Sequence, residues 1–263
     1  MPFSILNTLH QDVPTSHMTT PHYNLAELGI TFHRIPPERG AEVVEFLWRN
    51  FFPEEPICRS LGLVRGKQTG VIDWFFSELA VNGSSVMALD CDDRVIGVRL
   101  AEVANRDDWV KRCLEVGLDK LLFKVHCIFD KRTSRAIEAS YLLITEGLDY
   151  SVWNLFDEFK VDKILCGMCL CSMKGSGIRG VGTELLKQSE MVGKEAGCAV
   201  SAAVASGNYS GKIFMRSGYD KGREVVYADF KDENGVLYLN DVREHVCAAV
   251  FTKRLEMEHG SDS

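Results

Sequence analysis

No apolar run in this 263-residue chain approaches the ~18 residues that a membrane-spanning helix needs. The first residues hold no basic segment leading into a long apolar stretch, so the expectation is a cytoplasmic protein with no membrane partner. A basic stripe is missing too. The 30 Lys and Arg are scattered singly among 37 Asp and Glu, and the net charge of -7 argues against nucleic acid as a partner. Such an acidic surface suits a cationic substrate slightly better than an anionic one. There is no internal repeat and no low-complexity tract. The seven histidines show no metal-ligand spacing.

Cysteine, by contrast, is plentiful. The nine cysteines sit mostly inside apolar runs, as Cys127, Cys166, Cys169, Cys198 and Cys247 do, and read as reduced, buried thiols. The spacing Cys166-x-x-Cys169-x-Cys171 invites a metal, but on a regular strand Cys169 and Cys171 share one face and Cys166 points to the other. No metal is therefore expected.

With 46% hydrophobic and 25% charged residues, the chain can bury an ample core. Residues 1–28 are polar and without period and read as a mobile arm; residues 256–263 read as a flexible tail. Residues 29–255 between them read as one α/β domain. A strand is expected over Ile30 to Ile35 and a helix over Glu38 to Phe52, with Val43, Val44, Leu47 and Phe51 on one face. Further helices begin near Pro56 and span Val71 to Ala80. Strands over Ser85 to Asp90 and Val95 to Val103 flank the turn Cys91-Asp92-Asp93. The stretch from Asp107 to Phe159 reads as helical and is expected to pack over the sheet or frame a substrate mouth. An apolar strand from Ile164 to Cys171 comes next, then a helix from Glu184 to Ala196 ended by Gly197. A strand over Ala199 to Val204, a short helix over Tyr209 to Arg216 stopped at Gly218, and strands over Glu224 to Phe230 and Val246 to Thr252 complete the order.

Between the apolar strand and the helix after it lies Gly177-Ile178-Arg179-Gly180-Val181-Gly182-Thr183. A glycine loop in that setting presents bare backbone N–H groups and a positive helix end to a diphosphate. In a dinucleotide-binding fold this loop comes near the start of its βαβ unit, with an acidic residue about 20 residues on. Here it comes two thirds of the way along. That order resembles the GCN5-related N-acetyltransferase superfamily, whose signature Q/R-x-x-G-x-G/A carries the pyrophosphate of acetyl-CoA. Gly177 stands where the signature has Gln or Arg, although donors from Arg179 to Thr183 remain and Arg179 can add charge. The resemblance implies an acyl-CoA N-acyltransferase fold: a mixed, mostly antiparallel central sheet flanked by helices and splayed after the fourth strand. It implies that the backbone of Cys171, Ser172 and Met173 pairs with pantetheine, and that Tyr209 and residues Gly177 to Thr183, Ile178 and Val181 included, complete the acetyl-CoA site.

A narrower resemblance rests on Phe51-Phe52-Pro53-Glu54-Glu55-Pro56 and Ser206-Gly207-Asn208-Tyr209-Ser210, the latter before a helix ending in Ser-Gly-Tyr. This pattern looks like the arylalkylamine N-acetyltransferases of insects and other invertebrates. It implies that Glu55 is the catalytic base and that Ser206 and Ser210 are the catalytic serines. Acetyl transfer needs such a base, because an alkylamine of pKa ~10.4 is only about one part in a thousand neutral at pH 7. The residues also have plain readings. Carboxylates before Pro56 suit a helix N-terminus, Ser206 and Ser210 suit a helix cap and first turn, and Tyr209 can simply pack. Phe214 stands where many members of the wider superfamily carry the tyrosine that protonates the CoA thiolate, which leaves a serine, Tyr209 or water for that step. Trp74-Phe75-Phe76 and Trp153 to Phe156 can line an amine pocket or fill a core. The resemblance implies a monomer that uses acetyl-CoA and a small primary amine such as dopamine, serotonin, tyramine or octopamine. Polyamines, amino acids, protein amines and non-catalytic acyl-CoA binding are the alternatives.

Overall fold

The computed structural model describes residues 24–66, 69–107, 152–232 and 234–256. Most of the terminal arm, the tail and the helical stretch expected over residues 108–151 lie outside these. Along the described chain run β1 (Thr31–Arg34), α1 (Gly40–Asn50), α2 (Pro56–Ser60), α3 (Gly70–Ala80), β2 (Val86–Leu89) and β3 (Val95–Asn105). They are followed by α4 (Val152–Phe159), β4 (Lys163–Ser172), α5 (Val181–Glu195), β5 (Val200–Ala205), α6 (Asn208–Arg216), β6 (Asp220–Val226) and β7 (Cys247–Arg254). Residues Tyr227–Asp229 form a 3-10 turn where a continuing strand was expected. Pairing with β7 ends at Val226 and Cys247, and the Tyr227 ring turns into a core with Ile57, Leu239, Ala248 and Val250.

The strands form one seven-stranded sheet in the order β1-β2-β3-β4-β5-β7-β6. Every neighbouring pair is antiparallel except β4 and β5, which run parallel. Helices cover both faces. On one side Val43, Phe46 and Leu47 of α1 and Leu79 of α3 pack on Val98, Leu100, Cys169 and Cys171. On the other, Val181 and Leu185 of α5 pack on Val86, Ala88 and Ile96, while Phe214 of α6 packs on Ala203 and Phe251. The start of α5 approaches the sheet closely because Gly97 lies beneath it: a Cβ there would stand 2.9 Å from both Leu185 and Val181. Residues 24–29 form a turn, closed by the Ile30 N–H donating to the Leu25 carbonyl, and Leu25 packs beside Ile178 and Val181.

Strand β4 pairs with β3 along nearly its whole length but with β5 only over Ile164 to Gly167. The register to β3 slips by one where Leu100 faces Cys169 and Ala101 faces Gly167, so Met168 is bulged out. A bulge shifts the parity of the side chains after it. Cys166, packed with Ala104, therefore shares a face with Cys169 and Cys171, packed with Val98 and Leu100, contrary to the expectation for a regular strand. Among the described residues no three His, Cys, Asp or Glu converge as a metal site.

Beside the bulge lies Arg99, only 1% exposed. Its guanidinium rests on Gly167 and 5.5 Å from the centroid of the Phe214 ring. A Cβ on Gly167 would fall 1.6 Å from Arg99 Nη2. The same side of the sheet holds a second, partly buried cation, Lys253, whose Nζ donates to the buried Glu190 at 2.7 Å and to the Ser217 carbonyl at 2.9 Å, tying β7 to α5 and to the end of α6. Gly167→Ala should destabilise the protein by about 3 kcal/mol or more, because the displaced side chain is a buried cation rather than a flexible surface group. Urea unfolding of the variant against the parent measures this.

Candidate active site

Where β4 and β5 part, a cleft of about 390 Å³ opens. The end of β4 forms one wall, from Leu170 to Lys174, and the turn from β5 into α6 forms the other, from Ser206 to Ser210 with Ile213. Gly182 of α5 lies at its base, where a side chain would meet Ile213 at 3.1 Å. Asn50, Phe51, Glu54, Glu55 and Pro56 bound the far end together with Glu244 and His245.

The β4 wall offers main-chain groups. The Met173 N–H donates to the Ile96 carbonyl at 2.8 Å. Alternate residues of an antiparallel ladder direct their N–H and C=O to opposite sides, so those of Ser172 and Leu170 face the gap that β5 leaves. Leu170 carries no chemical group that a sequence reading would notice. Burial pushes the Cys171 thiol up to about 12, which leaves it un-ionised at neutral pH.

Beyond β4, the glycine loop turns through Gly175, Gly177 and Gly180, all at positive φ (76°, 71° and 92°). The conformation at Gly177 is one that a residue with a side chain would adopt only under strain, which suits glycine to this position. Ser176 stiffens the loop, donating to the Met173 carbonyl and accepting from the Ile178 N–H. No side chain caps α5 at Gly180, so the N–H groups of Val181, Gly182 and Thr183 at its positive end can receive an anion. Of the loop and first turn, only Gly182 lines the cleft itself; Arg179 is exposed and Val181 is buried against β3.

Glu55 is the N-cap of α2, its Oε2 accepting the Cys58 N–H at 2.6 Å, with Pro56 at the first helical position. The cap fixes the carboxylate on the cleft wall, half-buried and close enough to Cys169 and Tyr227 to act on both electrostatically. Its neighbour Glu54 points elsewhere. Glu54 Oε2 accepts from Lys174 Nζ at 2.9 Å and Arg243 Nη1 at 2.7 Å, bridging the loop after β4 to the segment before β7. The Lys174 hydrogen bond, then the charge of Arg243, holds this carboxyl below its usual range.

The opposite wall is pinned at the start of α6. Ser210 Oγ donates to the Gly207 carbonyl at 3.0 Å, and Tyr209 Oη donates to Glu244 Oε1 at 3.0 Å, a bond that raises the phenol's pKa. His245 was not marked by any sequence feature, yet it lines the cleft. Its Nδ1 accepts the Asn208 N–H at 3.1 Å, so in the neutral ring Nε2 bears the hydrogen. Phe214 does not reach this space; it is buried in a stack with Phe251. Trp74 and Phe75 are exposed on α3 and Phe156 is buried under β4, so none of these three lines the cleft as expected, and the side chain of Trp153 lies outside the described residues; the cleft's aromatic lining is Phe51 and Tyr209.

One cleft thus collects Glu55, Ser206, Tyr209, Ser210, Cys171, Ser172, Met173 and Gly182. Comparison with solved structures places the fold. Arylalkylamine N-acetyltransferase 2 from Aedes aegypti superposes with a TM-score of 0.73 at 23% identity, covering 86% of this chain and 99% of that one. The polyamine N-acetyltransferase of Drosophila melanogaster superposes with a TM-score of 0.68 at 17% identity, over 86% of this chain and 100% of that one. A mosquito arylalkylamine N-acetyltransferase-like 5b protein gives 0.65 at 19% identity, over 86% and 100%. No family model and no curated protein matches the chain. The chain has the GCN5-related N-acetyltransferase fold. Within that fold it resembles the arylalkylamine N-acetyltransferases of insects.

The Glu54 bridge carries a pH signature. Because its carboxyl is held below the unfolded value of about 4.3, its stabilising effect is fully present above that pH and is lost as the pH falls through the lower folded value. Glu54→Gln should lower the unfolding midpoint at pH 7 and converge with the parent in stronger acid. Differential scanning calorimetry from pH 7 to pH 2.5 tests this.

Proposed function

We propose that this protein is an acetyl-CoA-dependent N-acetyltransferase that acts on small primary amines, arylalkylamines first among them. The observation that carries the reading is the meeting, in one cleft, of a parted β4–β5 pair with Glu55 and the serines of the β5–α6 turn. Leu170 and Ser172 would hold the pantetheine arm through main-chain bonds, and the open N-terminus of α5 would receive the diphosphate. Glu55 would take the ammonium proton through a water, freeing the nitrogen to attack the thioester carbonyl. Main-chain donors at the end of β4 would stabilise the developing oxyanion. The leaving thiolate would take its proton from Ser206, Ser210 or water. Phe51 supplies an aromatic surface at the acceptor end.

A second reading has its own support. Glu54, Glu55 and Glu244 at the acceptor end set three carboxylates against Lys174 and Arg243, a net negative charge that also suits a substrate with a second cationic group. The Drosophila enzyme of this fold forms N-acetylagmatine. Thiol release from acetyl-CoA with dopamine, serotonin, tyramine, agmatine and spermidine separates the two. Turnover with the aromatic amines supports the first reading, and turnover confined to agmatine and spermidine replaces it with the second. Binding of CoA without release on any amine would overturn both in favour of a non-catalytic acyl-CoA binder.

The double position of Glu55, as cap and as base, can be divided by substitution. Glu55→Gln keeps an oxygen to accept the Cys58 N–H but cannot take a proton. Turnover should fall by about 10²- to 10⁴-fold, with CoA affinity and melting temperature nearly unchanged. Loss of stability without that loss of turnover would reduce Glu55 to a cap.

A further inference from the structure

Tyr227 lines none of the cleft, yet it is joined to three segments that do. Its side chain is 2% exposed and packs with Ile57, two residues beyond Glu55 on α2. Its hydroxyl donates to the Ser206 carbonyl at 2.5 Å. Its own N–H donates to the Val246 carbonyl at 2.9 Å, one residue beyond His245. A buried tyrosine needs a partner for its hydroxyl, but a core offers many carbonyls. The one engaged here belongs to the turn on which both serines hang. That turn is a short relay: the Gly207 carbonyl, in the next peptide, accepts the Ser210 hydroxyl at 3.0 Å and the Gly211 N–H at 3.1 Å. Burial, and then the nearby Glu55 charge, push the phenol far above its ordinary range, so it remains a neutral donor at every physiological pH.

We propose that Tyr227 is a positioning residue for acetyl transfer: its hydroxyl fixes the Ser206–Gly207 peptide while its ring sets where the helix bearing Glu55 stands against that peptide. The inference rests on the acetyltransferase reading. Tyr227 touches neither substrate; it acts by holding the two walls of the cleft in register. An error of about 1 Å between reacting groups is enough to cost an enzyme orders of magnitude in rate, and this one phenol spans the two sides.

Tyr227→Phe removes the hydroxyl and keeps the ring, so packing on Ile57 survives. Steady-state kinetics with acetyl-CoA and the best amine of the panel, on the parent, Tyr227→Phe, the pair Ser206→Ala with Ser210→Ala, and all three changes together, form a double-mutant cycle in which the two serines count as one site. Tyr227→Phe should lower kcat about tenfold and leave the KM for acetyl-CoA within about twofold. In the background lacking both serine hydroxyls its effect should shrink to about twofold or less, because the groups that the turn presents to the cleft are gone. Thermal melting and CoA titration of each variant accompany the kinetics. An unchanged kcat, a tenfold loss that persists without both serine hydroxyls, or a fall in kcat that only tracks lost stability would each overturn the proposal. If the parent itself acetylates no amine, the acetyltransferase reading fails and this inference falls with it; an active parent with an indifferent Tyr227→Phe sinks this inference alone.

Discussion

Arg99 lies across β4 where Gly167 leaves room for it, and the sheet opens at the same residue. Gly167 makes the last pairing of β4 with β5, to Ala203, and Met168 is bulged out immediately after. From there β4 follows β3 alone and β5 follows β7, and the space between them becomes the cleft. A buried guanidinium is costly unless its surroundings answer it. The ring of Phe214 does so in part, from 5.5 Å. The cation in turn works against the effect of burial on Cys169 and Tyr219, two groups whose ionisation burial otherwise suppresses. Phe214 has no proton to donate, and its place in the core against Arg99 and Phe251 keeps the ring out of the cleft as well.

The parted strands would serve little without the elements that converge on the gap. Gly97 lets α5 lie close to the sheet, which sets its open N-terminus beside the end of β4. Pro56 and the Glu55 cap start α2 at the opposite rim. A small core of Ile57, Tyr227, Leu239, Ala248 and Val250 then fastens α2 to β7, and through the Tyr227 hydroxyl to the β5–α6 turn. The Glu54 bridge adds an electrostatic tie across the mouth, between Lys174 and Arg243. Packing fixes the walls and charge ties their edges.

The local elements were largely legible in the chain, since hydrophobic period, glycine stops and Pro56 report on a few residues at a time. Gly197 and Gly218 end their helices in the left-handed conformation expected of them. The strand expected over Glu224 to Phe230 was cut short because Tyr227 has a place in the core, which no local pattern records. Likewise the sides taken by Cys166 and Cys169 could not be read from alternation, because the bulge at Met168 depends on how β3 and β4 align.

By itself the sequence determined the order of elements, the glycine loop, and the short motifs around Glu55, Ser206 and Ser210, because each of these is written in consecutive residues. Tertiary structure alone decided that these motifs, about 150 residues apart in the chain, face one another across a single cleft. It also brought in Leu170, His245 and Tyr227, whose parts follow from hydrogen bonds between segments distant in sequence. Such bonds depend on how a sheet parts and how helices dock, and those are properties of packing rather than of any local run of residues.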